Sequence, residues 1–386
     1  IFIKFQVRMF FYVFKFFFIL QENKTMERKT GWEKWDEKTT KEAMDFCEPY
    51  KKFLSENKTE RLFAGCCIKL AQQKGFKPLD RFKKLSAGDR FYKINKEKLL
   101  ILGTVGKDTL TKGCRFIVGH IDSPRLDLKT SPIYQDEGLC LFKTYYYGGI
   151  KKYQWLTIPL ALYATIVLKN GQKKEFVIGE KENDPVFSIT DLLPHLGRKD
   201  QMKKTVSEAF PGENLNVIVG SLPDKKSKKQ KIKNNILEIL MSISGMTEED
   251  FISSEFHLVP AGPLRDVGFD RGMILGYGQD DRVCSYTSFM ALLDVPSPIK
   301  TSFCILVDQE EIGSPGTTSA KSEFFRFVME EVMEKIGLNT KEFRDVMQNS
   351  KTISADVNVL IDPNFKEVSD SMNAARAGCG VILSKN

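Results

Sequence analysis

The sequence predicts an α/β fold: a parallel or mixed sheet with helices on both faces, interrupted by a β-rich insertion. Three observations carry this. First, apolar residues recur at helical spacing over 36–75 (Ala43, Phe46, Tyr50, Phe53, Leu54, Leu62, Ile68, Leu70), and the runs FYKI, LLILGTV and CRFIVG follow over 90–119, punctuated by Gly88 and Gly113. Second, the same alternation returns after about residue 262. The buried-strand run SFCILVD (302–308) precedes a helical period over 320–348, and a strand-like stretch opens at Thr352. Third, residues 125–258 alternate short apolar runs with turns, as a mostly β segment of domain size does. Strands that alternate with helices build a parallel sheet covered on both faces. The chain therefore divides into residues 26–124 and 261–386 as the two parts of one α/β domain, and 125–260 as the inserted β-rich domain.

Length and composition agree. A chain of 386 residues suits two domains. With 42% hydrophobic and 28% charged residues it is neither disordered nor fibrous. The eight cysteines are scattered and form no CxxC, which excludes a disulfide scaffold and a zinc ribbon. They read as reduced thiols of a cytoplasmic protein. A net charge of +8 over this length gives no basic stripe for nucleic acid. The run KKSKKQK (225–231) reads as a solvated loop, with a phosphate-binding patch as the alternative.

Residues 1–25 differ from the rest. Phe, Ile and Val dominate IFIKFQVRMFFYVFKFFFIL, but Lys4, Arg8 and Lys15 interrupt the run, and no stretch reaches the ~20 apolar residues that span a bilayer. No small-residue cleavage site follows. The expectation is that Met26 is the natural start and 1–25 is upstream translated sequence; a membrane-surface anchor is the alternative.

Chemistry-bearing residues cluster where apolar strands end. In FIVGHIDS (116–123) a strand runs into His120, with Asp122 two residues on and facing the same way. His120 can bind a metal while Asp122 orients the ring, although HxD alone reads first as a structural histidine. In GYGQDDR (276–282) two carboxylates follow glycines. One could bridge two cations, or an Asp could cap the helix expected from Val283. In DQEEIGS (308–314) adjacent glutamates at a strand end would point to opposite sides, one to hold a metal and one to move protons; an N-cap cluster is the alternative. SAD (354–356) adds Asp356. Together these put one His and several carboxylates after strands of a single sheet, where open α/β folds place their sites. Nitrogen and oxygen ligands without thiolate suit zinc, manganese or cobalt, and a bridging carboxylate suits two metals.

The motifs GHIDSP, YYGGIKKYQW (146–155), DPV (184–186), ENL (213–215), QDD, EEIGS and ISADV stand in an order that resembles the aspartyl aminopeptidase/aminopeptidase I family of zinc metallopeptidases, in particular its bacterial-type members, from about residue 30 to 385. The resemblance implies a zinc-peptidase-like catalytic domain whose β-rich insertion serves dimerisation. It implies an aminopeptidase that releases N-terminal residues, acidic ones among them, from peptides, with two Zn2+ per subunit (Co2+ or Mn2+ as substitutes). His120, Asp280 and Asp356 would hold one zinc, and Asp280 and Glu311 the second. Glu310 would be the general base and Asp122 would orient His120. The family forms homo-oligomers, dodecamers in particular, in which a histidine of the insertion completes a neighbour's substrate site; His195 is the candidate here. The resemblance implies peptide substrates and neither nucleic acid nor membrane as partner. His257 matches no functional position. Family members also continue past this chain's last residue and supply a final metal-binding histidine, whereas no His follows His257. That suggests a gene model cut at both ends, with a catalytically impaired assembly subunit or a pseudogene product as the alternative to a working enzyme.

Overall fold

The computed structural model describes residues 2–3 and 29–384. The reading of residues 1–25 as upstream or anchor sequence falls, apart from 2–3, outside them. The chain divides into two compact units, residues 1–123 with 264–386, and residues 124–263.

In the first unit the helical signal becomes α1 (Glu37–Glu56) and α2 (Glu60–Gln73). Asp36 starts α1 by accepting the amide of Thr39 at 2.7 Å, and Thr59 starts α2 by accepting that of Leu62 at 3.3 Å. Four strands follow: β1 (Lys77–Pro78), β2 (Arg90–Asn95), β3 (Leu99–Thr104) and β4 (Arg115–His120).

The second unit is the β-rich one. It holds β5 (Arg125–Asp136), β6 (Leu139–Tyr147), β7 (Leu160–Val167), β8 (Lys173–Ile178), β9 (Val217–Gly220), α3 (Lys231–Ser244) and β10 (Glu255–Pro260). Its antiparallel sheet has the order β9-β6-β5-β10-β7-β8. Asp136 pairs with Leu139 across a two-residue turn in which Glu137 and Gly138 both take positive φ, as the twist of a tight hairpin demands.

The first unit then resumes with α4 (Gln279–Leu293), β11 (Ser302–Val307), α5 (Phe324–Ile336) and β12 (Lys351–Ser354). The sheet order is β12-β4-β11-β3-β2-β1. Strands β12, β4 and β11 run parallel, whereas β3 is antiparallel to both of its neighbours, so the sheet is mixed. Alternation along the strands builds two cores. Leu100, Leu102, Cys304 and Leu306 pack against α1, α2 and α4; Leu99, Ile101, Phe303, Ile305 and Val307 pack against α5. Helices thus cover both faces, which is why these strands read as continuous apolar runs. The helical period over 320–348 is broken: α5 stops at Gly337, whose φ of 91° ends it, and a separate short helix spans Phe343–Gln348.

Candidate metal centre

Parallel pairing brings three strand ends to one edge. Val307 of β11 is level with His120, and Ser354 of β12 with Val118. The segments beginning at Asp308 and Ala355 therefore leave the sheet beside His120.

The imidazole of His120 is 3% exposed, and Asp122 is fully buried. Nδ1 lies 3.2 Å from Asp122 Oδ1. Nε2 faces Asp280 Oδ1 at 3.5 Å, Glu310 Oε2 at 3.7 Å and Asp356 Oδ1 at 3.9 Å. These three separations are too long for good hydrogen bonds. Those to Asp280 and Asp356 approach the spacing of donors around a shared cation, because two ligands each ~2.0–2.1 Å from zinc stand roughly 3.3 Å apart at the tetrahedral angle.

The glutamates depart from expectation. They sit on a 3-10 turn, Glu310–Ile312, and not on extended chain. Gln309, with φ of 64°, reverses the backbone just after β11. Both glutamates thereby turn towards His120, and their amides point at Asp122, which accepts from Glu310 at 3.3 Å and from Glu311 at 3.2 Å. The turn is braced by Asp308, which is buried and accepts the Thr318 hydroxyl at 2.7 Å.

Among the described residues, donor atoms lie close enough to hold a cation in two groups, His120–Asp280–Glu311 and His120–Asp281–Asp356. The second contains Asp281, to which sequence reasoning gave no role. Helix α4 nominally starts at Gln279, but Asp280 and Asp281 are not helical, so the expected N-cap geometry is replaced by a kink. Asp280 stays half-exposed while Asp281 turns inward, fully buried, with neither carboxylate oxygen hydrogen-bonded.

The electrostatics match a site short of positive charge. Burial opposes charge on His120, yet the surrounding carboxylates of Asp122, Asp280 and Asp281 outweigh it and hold the ring's pKa at about 11. Burial, then the charge of Asp280, pushes Glu311 up to about 7. Burial also raises Asp356 and Asp281, with Asp280 adding to both. A cation among these groups would supply the charge that protons supply otherwise.

The remaining histidines lie in the second unit. His195 is exposed on the short helix Pro194–Asp200. His257 is buried with its Nδ1 against Asp127, and Arg125 Nε donates to the same Asp127 oxygen at 2.8 Å. All eight cysteines are free thiols. Among the described residues no helix is long and apolar enough to cross a membrane.

A histidine and a cluster of carboxylates at the carboxyl edge of parallel strands, in an α/β sheet covered on both faces, form an arrangement suited to a metal-dependent hydrolase. Residues 53–386 match the family described as Aminopeptidase I zinc metalloprotease (M18). The chain belongs to this family of metalloaminopeptidases. It is 43% identical over 365 residues to a probable M18 family aminopeptidase 1 of Clostridium acetobutylicum, covering 93% of this chain and 78% of the relative. The solved structure of the Thermotoga maritima M18 aminopeptidase superposes with a TM-score of 0.87 at 41% identity, over 92% of this chain and 78% of that one. The yeast mApe1 dodecamer shares the fold, with a TM-score of 0.67 at 24% identity over 86% and 76% of the two chains.

Proposed function

We propose that this protein is a two-metal zinc aminopeptidase. His120, Asp280, Glu311 and Asp356 would hold the metal ions, with Asp280 shared between them. The observation that carries the reading is the placement of the Asp280 and Asp356 carboxylate oxygens 3.5 and 3.9 Å from His120 Nε2, with Glu310 beside them. Bound metal would polarise the scissile carbonyl, lower the pKa of a bound water and receive the free amine. Glu310 would take a proton from the attacking water and return it to the leaving amine, a role that suits a half-exposed carboxylate opening towards the site. Asp122 keeps Nδ1 of His120 occupied, so Nε2 is the nitrogen left for ligation.

The reading extends to acidic N-terminal residues, by family resemblance. It extends to cytoplasmic homo-oligomers in which His195 completes a neighbouring copy's site; the exposure of His195 and the oligomeric yeast relative support that part. The test is metal content together with hydrolysis of a panel of Asp-, Glu-, Leu- and Lys-nitroanilides before and after chelation. Zinc uptake and chelator-sensitive release are expected, with Asp and Glu substrates ahead. Turnover that survives complete removal of metal would refute the reading.

A further inference from the structure

Three side-chain bonds stitch together the two segments that present His120 and Asp280. Ser285 Oγ donates to the carbonyl of His120 at 2.7 Å, and Arg282 Nε to that of Ile121 at 2.8 Å. In the reverse direction Ser123 Oγ donates to the carbonyl of Asp280 at 2.7 Å. Ser123 and Ser285 are fully buried, and Arg282 is 1% exposed. Gly119 lets α4 come this close: a Cβ there would stand 2.7 Å from Ser285 Oγ.

Arg282 is a poor choice for packing. Its Nη1 is buried without a hydrogen-bond partner, and its guanidinium lies over the Tyr277 ring at 5.5 Å. Desolvating a charged group and orphaning one of its donors costs stability. Leucine or methionine would fill much of that space without the cost. What an apolar side chain could not do is donate to the carbonyl of Ile121, the residue between His120 and Asp122.

We propose that Arg282, with Ser285 and Ser123, is a positioning residue of the metal centre. The three bonds fix the end of β4 against the kinked start of α4 and so set the 3.5 Å spacing of His120 Nε2 and Asp280 Oδ1. The proposal rests on the metal-centre reading above. None of the three side chains needs to touch metal or substrate.

The experiment uses the full chain and zinc alone, titrated against a chromophoric chelator, and adds the visible spectrum of the cobalt-loaded protein. Ser285→Ala, Ser123→Ala and Arg282→Gln are expected to stay folded by circular dichroism and to lose roughly 10- to 100-fold in zinc affinity, the usual cost of removing a group that orients a ligand. Their cobalt bands should shift, and Arg282→Lys should recover part of the loss. Thr287→Val is the control. Thr287 is buried on the same helix, but its hydroxyl bonds only carbonyls of α4, so this change should lower the melting temperature and leave zinc affinity alone. If Arg282→Gln does not fold, the two serine variants decide. Folded variants with wild-type zinc affinity and an unshifted cobalt spectrum would overturn the proposal. A wild-type chain that takes up no zinc would overturn the metal-centre reading itself, an outcome distinct from a failure confined to the variants.

Discussion

The carboxylate of Asp122 lies 3.2 Å from Nδ1 of His120 and accepts the amides of Glu310 and Glu311 as well. The Asp122 backbone carbonyl also lies 3.1 Å from Nδ1, so this one residue sets the rotation of the imidazole through carbonyl and carboxylate together, and its carboxylate places the turn that carries both glutamates. Asp122→Asn keeps the shape but replaces one acceptor oxygen with a donor that faces an N–H. Zinc affinity should fall by about 10- to 100-fold, and kcat should fall with it, because the general base moves too. Chelator competition alongside steady-state kinetics checks this. An Asn variant that loses kcat while binding zinc normally would show that Asp122 acts on the turn alone.

The two glutamates should separate by function. Glu310→Gln removes the proton acceptor but no ligand, so turnover should drop by roughly 10²–10⁴ with metal content unchanged. Glu311→Gln should lose metal first and activity as a consequence. Metal analysis of both variants after gel filtration distinguishes the roles. Equal metal loss in the two would place Glu310 among the ligands.

Asp280 and Asp281 form a third contrast. Both group with His120, but Asp280 is half-exposed and Asp281 is fully buried with unpartnered oxygens. Asp280→Asn should abolish tight binding of both ions if it bridges them. Asp281→Asn removes a carboxylate that groups with His120 and Asp356, so it should weaken ion binding at that group and leave the Asp280–Glu311 group's donors in place. Zinc titration and thermal melts of the pair test this, and tighter dependence on Asp281 than on Asp280 would reassign the bridging ligand.

Much of this was legible in the sequence because the physics is local. Runs such as LLILGTV and SFCILVD are apolar at most positions because both faces of those strands are covered. His120, Glu310 and Glu311 follow such runs closely, and Asp356 follows the short exposed strand β12, so their convergence needed only the parallel order of β12, β4 and β11. Other features were hidden. The antiparallel insertion of β3 beside β11 leaves no mark in composition. The turn that swings both glutamates the same way depends on the positive φ of Gln309, a residue type with no strong preference for it. Arg282 and Ser285 read as ordinary helix residues, since their value lies in reaching carbonyls of a segment more than 160 positions away. A charged residue within the apolar face of α4 was the one available signal.

Metal and protons should compete at this site in a defined direction. In the metal-free protein, burial and Asp280 raise Glu311 from 4.5 to about 7. A raised folded value means that the protonated form favours folding, so this contribution is full below the ordinary value of 4.5 and is lost as pH climbs through about 7. Asp356 is shifted in the same direction. The stabilisation that zinc adds should therefore grow across that interval, as ligands give up protons to the metal. Thermal melts with and without zinc measure it, and a zinc-induced rise in melting temperature that is flat over this range would contradict the assignment of Glu311.

The second unit offers a charge test that involves none of the metal ligands. Asp127 accepts from Arg125 at 2.8 Å and contacts His257, while the Arg125 guanidinium lies over Tyr147 at 4.0 Å. Burial alone would raise the pKa of Asp127, but the His257 and Arg125 charges outweigh it and hold the carboxyl below its ordinary value. A lowered folded value contributes stability above the unfolded pKa of about 3.9 and loses it as pH falls through the folded one. Removing one partner of such a buried set leaves the others uncompensated, typically at a cost of about 3–5 kcal/mol. Asp127→Ala should therefore destabilise the 124–263 unit at neutral pH by that order. Its denaturation midpoint should also fall less steeply than the wild type's on acidification below the ordinary Asp value, because the titrating group is gone. Parallel wild-type and variant curves through the acid range would mean that the charge of Asp127 contributes nothing and that only its packing matters.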